Sequence, residues 1–252
     1  MGNLLTSFAP QVHAIVIGAT GGLGRAFVNT LAEDERVLSV LALSRVTAGL
    51  ALDCVKTIAI DIEDEASIEA AARSAADHEP TYQLVIVATG VLHAAGLSPE
   101  KSWKALSADA LATAYRINAI GPALVAKHFL PLLDTKSKSV FACLSARVGS
   151  IEDNSLGGWH AYRSSKAGLN MILRTLSVEL ARRNPVAICV GLHPGTVDTS
   201  LSKPFQTSVP SDKLFTPAYS ANRLISVINE LTSADSGQTY AWDGQRIPFR
   251  YD

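Results

Sequence analysis

The chain has 252 residues, of which 48% are hydrophobic, and its formal net charge is −1 with an isoelectric point near 6.6. The near-zero charge gives no basis for a nucleic-acid or anionic-membrane partner, and no apolar run approaches the roughly 18–20 residues that span a bilayer. A chain of this length buries roughly 70–75% of its unfolded surface without disulfide or metal support, and three cysteines with no zinc or redox spacing suit a reducing cytosol. We therefore expect one cytoplasmic domain over residues 1–252, with residues 1–10 as a flexible leader.

Short apolar runs alternate with longer amphipathic stretches along the chain. The runs predict buried strands at His13–Ile17, Leu38–Leu43, Thr57–Ile60, Leu84–Ala88, Ser139–Leu144, Ala187–Leu192 and Gln238–Trp242. The stretches predict helices at Gly22–Glu33, Glu65–Asp77, Asn118–Leu133, His160–Arg182 and Pro217–Leu231. This alternation predicts an α/β fold: a single-domain, Rossmann-like doubly wound parallel sheet of about seven strands with helices on both faces.

The first predicted strand runs into a glycine turn, Gly18-Ala19-Thr20-Gly21-Gly22-Leu23-Gly24. Gly18 permits a tight turn, Gly22 lets the backbone approach a pyrophosphate, and Gly24 lets the helix pack close to the strand. The helix N-terminus adds free N–H groups and a positive dipole end for phosphates. An ordinary glycine-rich loop is the alternative, but the position between strand and helix favours a dinucleotide site.

Tyr162 and Lys166 form a second candidate site, because residues four apart share one face of a helix. A phenol with a reference pKa of ~10 is a slow acid or base near neutrality, and a neighbouring ammonium lowers that pKa. The pattern therefore suits proton transfer to or from a substrate oxygen. A surface contact without chemical consequence is the alternative.

Several marks in chain order carry a resemblance to a known family. They are the glycine turn, Asp61, Ala88-Thr89-Gly90, Asn118, Ser145, Tyr162 with Lys166, and Pro194–Thr199. In this order, and near the corresponding strands, they make the chain similar to the short-chain dehydrogenase/reductase family over nearly its whole length. The stretch Leu144–Lys166 and the ending Trp242–Pro248 resemble the branch of C-factor and the sniffer-type carbonyl reductases.

The resemblance implies a role for each mark. Tyr162 exchanges a proton with the substrate oxygen, and Lys166 binds the nicotinamide ribose and lowers the pKa of Tyr162. Ser145 hydrogen-bonds the substrate carbonyl, and Asn118 completes a proton relay through water. Further cofactor contacts are implied for Gly18, Gly22, Leu23 and Gly24 at the phosphates, Asp61 and Ile62 at the adenine, Ala88 and Gly90 at its ribose, and Pro194, Val197 and Thr199 near the nicotinamide.

The serine region departs from the family pattern, which has two adjacent serines, the second catalytic and three residues before a glycine. Here the pair is Ser145-Ala146, followed by Gly149. Strict register puts the catalytic position on Ala146, whereas a one-residue shift puts it on Ser145, which we adopt as the candidate. A structural role for Ser145 is the alternative, and Ser150 is the other serine close by.

The end of the second predicted strand indicates which cofactor binds. NAD-specific sites usually have an acidic residue there, on the adenosine ribose hydroxyls. Here the strand runs into Ser44-Arg45, with no carboxylate before Asp53. Arg45 can pair with a 2′-phosphate, and Ser44 and Thr20 can add hydrogen bonds. NADP(H) is therefore favoured over NAD(H), with a solvent-facing Arg45 as the alternative.

The expected function is hydride transfer between nicotinamide and a small-molecule carbonyl or alcohol, partly apolar in character. The substrate wall should come from Leu92–Ala95, Arg147–His160 and Ser200–Pro217. A cofactor-binding regulatory or signalling protein with little turnover is the rival, because fold does not fix function.

Two expectations concern metals and assembly. His13, His128 and His193 do not cluster with Cys, Asp or Glu at ligand spacing, so we expect no metal site. The two long apolar helices, Asn118–Leu133 and His160–Arg182, have more apolar surface than one sheet can cover. We therefore expect a homodimer or homotetramer built on them.

Overall fold

The computed structural model describes residues 3–47, 52–94 and 96–249. Its strands are β1 (Val12–Ile17), β2 (Val37–Ser44), β3 (Val55–Ala59), β4 (Leu84–Val87), β5 (Ser139–Leu144), β6 (Ala187–His193), β7 (Thr196–Val197), β8 (Leu214–Phe215) and β9 (Thr239–Ala241). Seven of them form one parallel sheet in the order β3-β2-β1-β4-β5-β6-β9, and β7 pairs with β8 alone. The predicted doubly wound sheet is confirmed.

Helices cover both faces of the sheet. They are α1 (Gly22–Ala32), α2 (Glu65–His78), α3 (Ala108–Tyr115), α4 (Gly121–Phe129), α5 (His160–Arg183) and α6 (Pro217–Glu230). One apolar core lies between the sheet and α1 with α6, and a second lies between the sheet and α2, α4 and α5. The central strands are apolar on both faces because both faces are buried, as expected for a parallel sheet between helices.

The order of the strands reverses between β1 and β4. Their carboxyl ends open into a crevice there, which is the usual place for a ligand in such sheets. The glycine turn follows β1 at this point, and Ala88-Thr89-Gly90 follows β4. The fold therefore brings two of the segments singled out by sequence to one edge.

The region around Asn118 differs from the single helix predicted over Asn118–Leu133. Helical structure begins earlier, at α3, where the Ser107 hydroxyl accepts a hydrogen bond from the Ala110 N–H. A π-helical turn at Arg116–Ile120 then joins α3 to α4, which ends at Phe129. The wider turn is a local insertion of the kind often found at functional sites. Here it contains the fully buried Asn118.

Residues 3–10 are not the flexible leader that the sequence suggested. Leu5 and Phe8 are buried in the core beside α1 and α6. The Asp34 carboxylate accepts hydrogen bonds from the backbone N–H groups of Leu4 and Leu5, at 2.8 and 3.1 Å. Apolar side chains and a buried carboxylate therefore fix this segment against the domain.

Two features are absent from the part of the chain that the structure describes. None of its helices is long and apolar enough to cross a membrane. None of its His, Cys, Asp and Glu side chains gather in a group of three or more that could hold a metal ion.

Candidate functional site

A cavity of about 730 Å³ opens at the carboxyl edge of the sheet. Its walls come from the glycine turn, the segments that follow β4, β5 and β6, the start of α5, and a loop at 200–209. The cavity brings together many of the residues predicted from sequence, namely Gly22, Leu23, Ala88, Gly90, Ser145, Tyr162, Lys166, Pro194, Val197 and Thr199. Among the other predicted residues, Gly18, Thr20, Gly24, Ser44, Arg45, Asp61, Ile62 and Asn118 lie outside its walls.

The glycine turn has the close packing that its spacing predicts. Gly18 has a φ of +85°, which favours glycine, and its N–H donates to the Leu43 carbonyl at 2.8 Å. A Cβ on Gly24 would collide with the Gly18 carbonyl oxygen, and a Cβ on Gly22 would lie 2.7 Å from Thr199 Cγ2. Backbone therefore lines the floor of the crevice, and a phosphate can approach it closely.

A second observation fits a bound dinucleotide. Thr89 Oγ1 is a buried atom in the cavity wall, and no group in the described residues hydrogen-bonds to it. Buried polar atoms normally have a partner, and the ribose of a nucleotide is rich in hydroxyls. The crevice thus has both a glycine cradle and an unused hydroxyl where the family pattern expects a nucleotide.

Asp61 and Ile62 lie beyond the walls of the cavity. Asp61 Oδ1 accepts a hydrogen bond from the Glu63 N–H at 3.0 Å, while the Asp61 N–H donates to Ser67 Oγ. Ile62 is buried, and its carbonyl lies against Gly121 at the start of α4, where a Cβ would be 2.9 Å away. These contacts fix the Asp61-Ile62 backbone at the edge where the resemblance locates the adenine.

Ser44 and Arg45 behave differently at the end of β2. Arg45 is exposed and has no ion-pair partner in the described chain. Ser44 is buried, and its hydroxyl proton is donated to the Val46 carbonyl. Since a phosphate requires donors, Arg45 can bind one, whereas the hydroxyl of Ser44 shapes the loop. Thr20 is half-buried in the glycine turn.

Tyr162 and Lys166 lie on the first turns of α5 and face the cavity. Lys166 Nζ is 5.9 Å from the centre of the Tyr162 ring and donates a 2.7 Å hydrogen bond to the Leu144 carbonyl. Burial raises the pKa of Tyr162 to about 12 and lowers the pKa of Lys166 to about 8. Burial therefore outweighs the expected effect of the ammonium, and Tyr162 is a neutral phenol that can donate a proton.

Asn118 connects the strand ends to α5. Its Oδ1 accepts from the Val91 N–H at 2.8 Å, and its Nδ2 donates to the Val91 carbonyl and to Ser165 Oγ. Gly90 lies between this amide and the lysine, since a Cβ there would be 3.4 Å from both Asn118 Oδ1 and Lys166 Nζ. The position that a Cβ would fill at residue 90 is thus next to both groups, and a water at that position would bridge them.

The serine region places Ser145 and Ala146 in the cavity wall and Ser150 outside it. Ser145 Oγ donates to Asn170 Oδ1 at 2.7 Å, and Ser145 is 3% exposed. Ser150 Oγ donates to the Pro248 carbonyl and accepts from the Asp153 N–H. Ser150 is thus a structural residue that fixes a loop, and the proton of Ser145 is already in use.

The predicted nicotinamide contacts follow β6. The Pro194 carbonyl accepts a hydrogen bond from Ser220 Oγ at 2.8 Å, and the Val197 carbonyl accepts one from Ser202 Oγ. The hydroxyl of Thr199 makes a long contact of 3.4 Å with the same Val197 carbonyl. These bonds hold the segment against α6 and the loop, with Val197 and Thr199 in the cavity wall.

The residues that hold the start of α5 were missed by sequence reasoning. The buried Glu100 accepts a hydrogen bond from the Ala161 N–H through its carboxylate, at 3.2 Å to Oε2, and its carbonyl accepts from the Trp159 N–H. Trp159 has a left-handed backbone with a φ of +53°, and its ring packs on Tyr162 and Phe205. Glu100 is a single glutamate outside any recognisable motif, so nothing in the sequence indicates its role. The pair Gly157-Gly158 before the helix, in contrast, does indicate an unusual turn.

The predicted substrate wall is observed in part. Leu92, Arg147, Val148 and Trp159 line the cavity, together with much of the loop at 200–209. Ala95 lies outside the described residues. His93 Nε2 lies 3.0 Å from the Ser200 carbonyl and its ring meets Phe205, so the loop is held down over the cavity by aromatic contacts.

Comparison with known proteins adds the family. The family model described as short chain dehydrogenase matches residues 12–209. An uncharacterized oxidoreductase of Schizosaccharomyces pombe is 28% identical over 254 residues, which cover 93% of this chain and 96% of that protein. C-signal of Myxococcus xanthus is 34% identical over 139 residues, which cover 55% of this chain and 78% of that protein.

A solved structure agrees with this assignment. The crystal structure of NADPH-bound carbonyl reductase from chicken fatty liver matches with a TM-score of 0.83 and 26% sequence identity, over 96% of each chain. The predicted resemblance, including the branch of C-factor and the carbonyl reductases, is confirmed.

Proposed function

Because this chain belongs to the short-chain dehydrogenase/reductase family, we propose that it is an NADP(H)-dependent reductase of carbonyl substrates in which Tyr162 is the general acid. In the reverse direction the same residue would take a proton from an alcohol. The bound nicotinamide would supply or accept the hydride, and the protein supplies orientation and proton transfer.

One observation carries the proposal: a neutral Tyr162 faces the same cavity as the glycine turn, with Lys166 beneath its ring. A phenol held in its protonated form is the species needed to protonate a carbonyl oxygen. Lys166 Nζ points at the Leu144 carbonyl, which leaves its remaining protons for a ribose hydroxyl. Asn118 and Gly90 leave space for a water between them and Lys166, in line with the implied relay.

The preference for NADP(H) rests on the end of β2. Arg45 is exposed and unpaired in the described chain, and no acidic side chain precedes Asp53 there. The guanidinium can form paired hydrogen bonds with a 2′-phosphate. A carbonyl reductase of similar fold is described as NADPH-bound, which agrees with this choice.

The walls of the cavity favour a partly apolar substrate. Leu92, Val148, Trp159 and Phe205 give it apolar and aromatic surface. Two cations, Arg147 and Lys101, also reach it, and the Arg147 guanidinium is paired with Asp153 at 2.9 Å. Small to medium ketones, diketones and aldehydes with an apolar part are therefore the substrates to try first.

A regulatory or signalling protein with bound cofactor is the second candidate. Ala146 has no hydroxyl at the strict position of the catalytic serine, and the proton of Ser145 is donated to Asn170. The relative named C-signal is consistent with this alternative. It would keep cofactor binding but show little turnover.

Steady-state assays separate the two candidates. NADPH oxidation is followed with a panel of apolar ketones, 1,2-diketones and aldehydes, and NADPH binding is measured in parallel by fluorescence. The proposed function predicts turnover of at least one carbonyl class. Tight NADPH binding with no turnover on any member would favour the regulatory candidate instead.

We also propose that the protein is a homodimer or homotetramer. Ile120, Met171 and Val178 are exposed apolar side chains near or on α5, and Met171 and Val178 are seven residues apart, on one helix face. Two copies of α5 related by a two-fold axis would cover this surface.

A further inference from the structure

Ser145 does not have a free proton with which to bind the substrate oxygen beside Tyr162, because its hydroxyl donates to Asn170. Asn170 Oδ1 accepts from Ser145 Oγ at 2.7 Å and from Thr239 Oγ1 at 3.2 Å. Asn170 Nδ2 points the other way and donates to the Gly149 carbonyl. With its amide fixed in this orientation, Asn170 keeps the Ser145 proton turned away from the cavity, and donation to a substrate would break a buried bond.

The strict register of the family pattern offers no replacement at the next residue. Ala146 lies in the cavity wall at the position of the second serine, but a methyl group donates no hydrogen bond. A carbonyl that acquires negative charge during reduction needs a donor in addition to the general acid. A second donor would therefore have to come from elsewhere in the cavity wall.

His193 is on the neighbouring strand at the same level. Leu144 of β5 pairs in register with Leu192 of β6, and the Ser145 N–H donates to the Leu192 carbonyl at 2.8 Å. Side chains alternate along a strand, so Ser145 and His193 point to the same face of the sheet. That face is the one covered by α5, where Tyr162 and Lys166 lie.

The imidazole of His193 has no hydrogen-bond partner in the described residues at either nitrogen. Nδ1 is buried, while Nε2 keeps accessible surface and the residue lines the cavity. Burial lowers the pKa of His193 to about 4, and the charge of Arg147 adds to this while Asp243 opposes it. The ring is neutral at pH 7 and carries one proton. A proton on Nε2 avoids an orphaned N–H in the interior.

We propose that His193 Nε2–H donates the hydrogen bond to the substrate oxygen that the second serine provides in the family pattern. Tyr162 would protonate that oxygen while His193 holds it, and no proton leaves the imidazole. This inference rests on the proposed carbonyl reduction and changes the residue that binds the substrate from Ser145 to His193.

The test combines loss and rescue in one set of variants. His193→Leu removes the donor at similar size, and His193→Gln keeps an N–H donor. Ala146→Ser restores the hydroxyl at the strict serine position, alone and together with His193→Leu. His13→Leu is the matched control, because His13 lies near the amino end of β1, at the opposite end of the strands from the cavity, where its ring contacts Ser39. NADPH affinity is measured for every variant.

His193→Leu should lower kcat/KM for carbonyl reduction by about 10²-fold, mainly through kcat, with NADPH affinity within about twofold of wild type. His193→Gln should lose less. Ala146→Ser in the His193→Leu background should recover at least about tenfold, which a merely structural role for His193 would not allow. Ser145→Ala should cost less than His193→Leu.

The results that would overturn the inference can be told apart. If the wild type is active and His193→Leu keeps its kcat/KM, the proposed role of His193 is refuted and the proposed function stands. The same holds if Ser145→Ala lowers kcat/KM more than His193→Leu does. A wild type that binds NADPH but reduces no carbonyl removes the proposed function and the inference with it. Loss of NADPH binding in His193→Leu would assign His193 to the cofactor site and also refute the inference.

Discussion

The two ends of the cofactor crevice differ in how the protein treats charge. At the end near α5, Tyr162, Lys166 and His193 line the cavity, and burial shifts all three pKa values. At the end near β2, Arg45 is exposed and has no ion-pair partner in the described chain. The titratable groups near α5 are thus largely shielded from water, whereas the cation near β2 is hydrated.

This difference follows from the two tasks that we propose. Proton transfer benefits from groups whose protonation state is fixed by their surroundings, and a dry cavity strengthens every hydrogen bond within it. Recognition of a 2′-phosphate needs only a charge that reaches solvent, where the phosphate also remains partly hydrated. Changes at the end near α5 should therefore alter catalysis or stability strongly, and changes at the end near β2 should alter cofactor choice alone.

The largest expected effect is at Tyr162. Tyr162→Phe keeps the ring and its contact with Trp159 but removes the transferable proton. We expect kcat for carbonyl reduction to fall by at least ~10²-fold, the lower end of general acid contributions. NADPH affinity, measured by fluorescence titration, should survive. Turnover near the wild-type value would show that another group donates the proton.

The second prediction concerns the pH dependence of stability through Lys166. Its folded pKa is about 8, against an ordinary value of 10.5, so between these pH values the unfolded chain holds a proton that the folded protein has released. The free energy of unfolding should therefore rise with pH across this window, by on the order of 3 kcal/mol from this group. Below pH 8 the folded protein carries the full destabilisation that comes from burying the Lys166 ammonium.

Urea unfolding of the wild type and of Lys166→Met, from pH 7.5 to 10.5, measures this effect. The difference between the two proteins should change by that amount across the window. Burial also lowers the pKa of Lys138 to about 8. Lys138 is present in both proteins, so its contribution to the difference in stability cancels. A constant difference across the window would mean that the Lys166 ammonium is not desolvated.

The third prediction concerns the end near β2. A hydrogen bond to a charged group contributes ~1.5–3 kcal/mol, so the wild type should bind NADPH roughly 10- to 150-fold more tightly than NADH. Arg45→Ala should erase most of that preference by weakening NADPH, with NADH little changed. Ser44→Ala is the matched control, because its hydroxyl is committed to the Val46 carbonyl. A preference that survives in Arg45→Ala would exclude Arg45 as the discriminator.

The smallest effect on chemistry is expected from the outer face of α5. Met171→Glu should convert the proposed oligomer to a monomer of about 26.7 kDa by light scattering at micromolar concentration, and NADPH binding should remain. Leu156→Glu, which charges another exposed apolar residue, should leave the mass unchanged. If the wild type is already a monomer in this measurement, the proposed oligomer is refuted.

Prediction from sequence succeeded where a local pattern dictates the structure. Continuous apolar runs specify strands buried on both faces, and the glycine spacing specifies a turn that other residues would strain or block. The boundaries of α5 and its Tyr162–Lys166 face follow from helical periodicity. The family resemblance predicted the order in which the site segments follow one another along the chain.

What could not be predicted depends on contacts between distant segments. The π-helical turn around Asn118 has no local signature, because the amide is turned inward by Val91, 27 residues earlier. Glu100 meets α5 at Ala161, 61 residues later. The engagement of Ser145 by Asn170 joins a strand end to the middle of a helix. Tertiary partners of this kind are invisible to patterns of spacing, although they decide which polar groups are free to act.

The ordered segment at residues 3–11 has a practical consequence for anyone who shortens the protein. The family match begins at residue 12, and a truncation guided by it would remove Leu5 and Phe8 from the core. It would also leave the buried Asp34 carboxylate without two of its donors. Loss of buried large apolar side chains commonly destabilises by 2–5 kcal/mol each, which rivals the whole stability of many domains. The part of this chain that builds its core thus begins before the part that the family model matches.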